Sequence, residues 1–152
     1  MSYLSKETIE QLRQSVNSSN WPYDIESWPS KIGTVTNCLA YSAGFAIPDY
    51  NKNIFIPPEG ICVVDYLEYM FNISGLLYRK ISSIDDAGKN ELIIQVRYNN
   101  SGSFHVIRKT PDNIWSHKKG WGNGPTLISN WRMIDALFPI VACTFAVKRK
   151  AS

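Results

Sequence analysis

The chain has 152 residues, the length of one domain, and its 44% hydrophobic and 19% charged residues exclude an intrinsically disordered segment. Three cysteines (Cys38, Cys62, Cys143) and two histidines (His105, His117) are too few for a disulfide framework or a zinc-finger spacing, so no structural metal is expected. The net charge of +3 is unevenly spread: residues 1–104 carry 8 Lys+Arg against 11 Asp+Glu, whereas residues 105–152 carry 8 against 2. A basic C-terminal third is either a solvated face or an attraction for an anionic polymer. Its basic residues are dispersed and form no known nucleic-acid motif, so no nucleic-acid partner is expected.

Ile9, Leu12 and Val16 recur at helical spacing behind Ser5, predicting a first helix over 6–16 with Ser5 as N-cap. Trp21-Pro22 and Trp28-Pro29 then hold their tryptophans out of helical geometry, and residues 17–31 read as an extended surface segment pinned by two packed rings. Thr36 or Asn37 caps a second helix over 38–43, closed by Gly44, which puts Cys38 in its first turn. Residues 48–58 read as loop. A third helix is expected over 61–73, with Val63, Leu67, Met70 and Phe71 on its buried side and Ser74-Gly75 at its end.

After a polar turn region at 82–89, three antiparallel strands follow at 91–98, 103–109 and 113–117, joined through 99–102 and Thr110-Pro111-Asp112. Gly120 to Pro125 lacks the Lys-Ser/Thr of a phosphate loop and reads as plain loop. Residues 140–148 return as a strand, with Lys148-Arg149-Lys150 as a frayed tail. The longest apolar run, 136–147, contains Pro139 and falls short of the roughly 20 residues a membrane span needs, so no membrane insertion is expected. The first residues carry no pattern of a Sec signal, so synthesis in the cytoplasm without Sec export is expected. The expectation is a single α+β domain over 1–152, with N-terminal helices packed on an antiparallel sheet.

The chemistry concentrates on Cys38, His105 and His117. A cysteine in the first turn of a helix sits at the positive end of the macrodipole, which favours the thiolate and leads one to expect Cys38 to be alkylated faster than Cys62 or Cys143. Those two lie in apolar runs and read as structural. Thiolate catalysis also needs an imidazole to carry a proton and a third polar group to orient it. With a three-residue connection at 110–112, Lys109 would oppose Asn113 and His105 would directly oppose His117 on one face. Asp112 and Asn113 are alternative orienters. Trp115, Trp121 and Trp131 either line a cleft or close a core.

Asn37-Cys38-Leu39-Ala40-Tyr41, followed by Phe104-His105-Val106-Ile107-Arg108 and Trp115-Ser116-His117-Lys118, resembles the papain-like cysteine hydrolases of the NlpC type, many of them bacterial peptidoglycan amidases. The family's usual Asp-Cys-Ser/Thr-Gly string is replaced here by Asn37-Cys38-Leu39-Ala40. The resemblance implies a papain-like fold with Cys38 as nucleophile, His105 as general base and His117 as orienting residue, working without a cofactor or metal. It implies amide hydrolysis with a peptidoglycan stem peptide as first substrate and a protein as second, the latter through effector proteases or glutamine deamidases. The chain also resembles small amidase toxins delivered between bacteria, which implies export by a specialised secretion system and an immunity protein as partner. A non-catalytic, aromatic-rich binding module is the rival outside enzymology.

Overall fold

The computed structural model describes residues 2–150. Within it α1 (Lys6–Asn17) starts where Ser5 accepts a hydrogen bond from the Thr8 N–H, and buries Leu12 and Val16. Helix α2 (Cys38–Ala43) is capped by the Asn37 side chain, which accepts from the Ala40 N–H, and ends at Gly44 in the left-handed region at φ 73°. Helix α3 (Val63–Ser74) begins two residues later than its apolar pattern suggests, because Cys62 takes the extended cap position. Val63, Leu67, Met70 and Phe71 are all buried.

The segment between α1 and α2 is not extended. It folds through turns and a 3₁₀ helix (Ser30–Val35), with a cis peptide bond at Trp21-Pro22. The reason is burial of both rings. Trp21 donates its indole N–H to the Ala43 carbonyl at 3.0 Å, and Trp28 packs edge-on against Tyr23 and Tyr41, which folds the chain back over α2. Space is tight there: a Cβ on Gly44 would lie 2.5 Å from the Trp21 indole nitrogen.

Among the described residues six strands form one antiparallel sheet: β1 (Leu76–Lys80), β2 (Leu92–Tyr98), β3 (Phe104–Lys109), β4 (Trp115–Lys118), β5 (Pro125–Leu127) and β6 (Ile140–Arg149). Their spatial order is β1-β6-β2-β3-β4-β5. The last strand in the chain therefore lies inside the sheet, and Lys148 and Arg149 are part of it rather than a frayed tail, paired with Leu77 and Leu76. Arg149 also donates to the carbonyls of Val16 and Ser18.

Alternation along the strands gives the sheet two different faces. Leu92, Ile94, Val96, Val106, Phe145 and Val147 join one core with α1, α2 and α3. The other face carries Gln95, Arg97 and His105 and is covered in part by α4 (Trp131–Leu137). That helix is held by Asp135 on Arg97 at 2.7 Å, by Trp131 edge-on to Trp115, and by the buried Ile134.

Candidate active site

The hairpin from β3 to β4 fixes the geometry of the two histidines. Lys109 opposes Trp115 and Arg108 opposes Ser116, while Thr110 donates its N–H to the Ile114 carbonyl. The loop thus keeps three residues but lies at Pro111-Asp112-Asn113, one place beyond 110–112, with Asn113 supplying the positive φ of 69° that such a turn requires. The register moves by two, so His105 and His117 are diagonal neighbours on one face instead of directly opposed. Parity is unchanged, and the rings meet. His105 Nε2 lies 2.9 Å from His117 Nδ1. The alternative orienters lie elsewhere: Asp112 bonds Thr110 within the turn, beside Asn113.

Cys38 lines the same cavity as both histidines, a space of about 400 Å³ whose other walls are Phe104, Lys119, Gly120 and the α4 segment Met133, Ile134, Leu137 and Phe138. Phe138 stacks on the His105 ring with centroids 5.0 Å apart and holds its plane. Trp115, Trp121 and Trp131 do not line this cavity. Trp21, Trp28, Trp115 and Trp131 serve packing. The α4 wall escaped sequence reading, although Asn130 as cap with Met133, Ile134 and Leu137 behind it was the available signal.

The electrostatics differ from those expected of a helix terminus. Burial pushes the Cys38 thiol up to about 11, outweighing the main-chain N–H groups of Val106, Leu39 and Cys38 and the nearby Lys118 cation, all of which favour the thiolate. Helix α2 has six residues and is buried throughout, so its dipole acts on a group denied water. The expected order of alkylation is corrected with it, because Cys62 is the exposed thiol. His105 is lowered to about 4, first by burial and then by His117, Lys119 and Arg97, and His117 is lowered by burial and Lys119. The resting site is a neutral thiol beside neutral imidazoles. In the tautomer in which His105 Nε2–H donates to His117, the Nδ1 of His105 keeps a free lone pair.

A folded-state value near 4 against an ordinary 6.5 means that the unfolded chain binds a proton over that window while the folded chain does not. His105 stabilisation is therefore complete above about pH 6.5 and is lost as pH falls towards 4, by about 3 kcal/mol in total. Urea unfolding of wild type and His105→Asn between pH 7.5 and 4.5 checks this. The wild type loses more stability across the window, and parallel pH profiles would refute the shift.

Among the described residues no group of three or more His, Cys, Asp or Glu side chains is arranged to hold a metal ion, and no helix is long and apolar enough to cross a membrane. No family model matches the chain, and neither a curated protein nor a solved structure matches it.

Proposed function

We propose that the protein is a cysteine-dependent amide hydrolase of the papain-like, NlpC type. The observation that carries the reading is the 2.9 Å bond between His105 Nε2 and His117 Nδ1 in the cavity lined by Cys38, at the N-terminus of α2. His105 Nδ1 takes the thiol proton as Sγ attacks the amide carbonyl, and the Cys38 N–H supports the oxyanion. The C–N bond breaks, His105 passes the proton to the departing amine, and a thioester forms on Cys38. Water, deprotonated by His105, then attacks the thioester, and the C–S bond breaks to return the thiol. His117 keeps the His105 ring in the tautomer the first step requires.

A peptidoglycan stem peptide is the first substrate, supported by the resemblance in residues 37–41, 104–108 and 115–118 and by the basic C-terminal third. One observation favours a protein instead: the cavity wall is mostly apolar, with Lys119 its single charged side chain, and carboxylates are costly to bury against such a wall. Purified sacculi and an unfolded protein mixture are each incubated with wild type and Cys38→Ala, and the products are read by mass. Muropeptides released by wild type alone are the expected result. Cleaved protein alone selects the second substrate, and no product from either rejects the hydrolase. Delivery to another cell and an immunity partner belong to the same proposal through the resemblance to amidase toxins.

A further inference from the structure

Lys118 follows His117 on β4 and points to the opposite side of the strand, where it is fully buried. Its ammonium donates to the Thr36 carbonyl at 2.6 Å and to the Gly120 carbonyl at 2.5 Å. Thr36 immediately precedes Asn37, the cap of α2, and Gly120 lines the cavity. One side chain thus joins the start of the nucleophile helix to the turn on the far side of the site. Among the described residues no carboxylate pairs with Lys118. A buried cation without a counter-ion is costly, and carbonyl dipoles offset only part of that cost. The anion that would complete it is absent from the resting site, where Cys38 is a neutral thiol.

We propose that Lys118 is a positioning residue for Cys38: it fixes the N-terminus of α2 and holds a positive charge in place for the Cys38 thiolate that forms when the reaction begins. This rests on the hydrolase reading above. The mutual attraction of Cys38 and Lys118 agrees with it, raising the lysine while lowering the cysteine, although burial holds Lys118 down to about 8. Among the described residues, the other charged and titratable groups that bear on the cavity are His105, His117, Lys119 and Arg97. The two histidines are neutral above pH 7, and Arg97 is already paired with Asp135.

The test reads the thiol directly. Cys38 is labelled at pH 7 with a small methylthiolating thiosulfonate, with Cys62 of the same molecule as internal standard. Lys118→Gln keeps a donor for the Thr36 carbonyl but loses the charge, and it should slow Cys38 labelling about tenfold, the factor that one pH unit of thiolate support represents. Lys118→Arg keeps the charge and should stay within about twofold of wild type. A merely structural tie would give the opposite sign, because loosening α2 exposes the thiol and speeds labelling. Unchanged or faster labelling in Lys118→Gln with wild-type circular dichroism would overturn the proposal. Should that variant fail to fold, the wild type still decides. Its labelling rate should rise less than tenfold per pH unit above about pH 8, as Lys118 loses its proton, and a constant tenfold slope to pH 9.5 would equally overturn it. Labelling requires no substrate, so a failed sacculus digest leaves this result standing, and a failed labelling result leaves the hydrolase standing.

Discussion

Cys38→Ala is expected to reduce amide hydrolysis to background, and His105→Ala to lower kcat/KM by on the order of 10²–10⁴-fold, with both variants folded. No neighbour can replace either group: Cys62 and Cys143 lie outside the cavity, and His117 is held on the far ring nitrogen of His105. His117 acts through His105, so its substitutions should be graded. His117→Ala leaves residual activity, and His117→Asn or His117→Gln recovers part of the loss because an amide still offers one hydrogen bond to the ring. The expected order of rates is wild type, Asn or Gln, Ala, then His105→Ala. Wild-type kcat/KM in His117→Ala would remove it from the mechanism, whatever the 2.9 Å distance.

The largest loss of stability is expected at Arg108. This side chain is fully buried, its Nη1 donates to the Pro22 carbonyl at 2.6 Å and the Tyr41 carbonyl at 3.2 Å, and its Nη2 donates to Tyr23. The guanidinium also lies 4.0 Å from the centre of the Tyr41 ring, whose hydroxyl bonds Ser116 at 2.7 Å. One residue therefore fastens the turn after α1, helix α2 and strand β4 together. Arg108→Met fills similar volume but leaves the buried Tyr23 and Tyr41 carbonyls and the half-buried Pro22 carbonyl without that donor, and should cost about 3–5 kcal/mol, enough to unfold much of a marginal domain. Chemical denaturation measures it. A loss below about 1 kcal/mol would mean that water reaches those carbonyls in the variant.

The sequence made the local elements around Cys38 and the histidines legible because they rest on local chemistry. Asn37 as cap, Gly44 as terminator and the alternation of 92–98 and 104–109 each need only near neighbours. The turn at 110–114 was half legible: its length follows from Pro111 and Asp112, but its placement depends on Asn113 accepting a positive φ, which moved the register by two. Elements defined by distant partners were not visible. Strand β1 is short and mostly exposed and exists because β6 pairs with it, and β5 is a three-residue edge. Helix α4 has seven residues and depends on Arg97, Trp115 and His105 beneath it. The Cys38 thiol misled for the same reason, since a helix start is written in sequence but the burial that opposes it is assembled from the whole fold.

The interior position of β6 sets the order in which the molecule can be made. Strand β2 emerges from a ribosome some forty residues before β6, and β1 earlier still, yet each reaches the other only through it. The hairpins β2-β3 and β3-β4 can form while the chain is still growing, bringing the two histidines together early. The floor under α3, which includes Phe145 and Val147, arrives last. A nascent chain must therefore keep β1 and the edge of β2 from pairing with other molecules until the final strand slots between them, which makes completion of the sheet a late, long-range step.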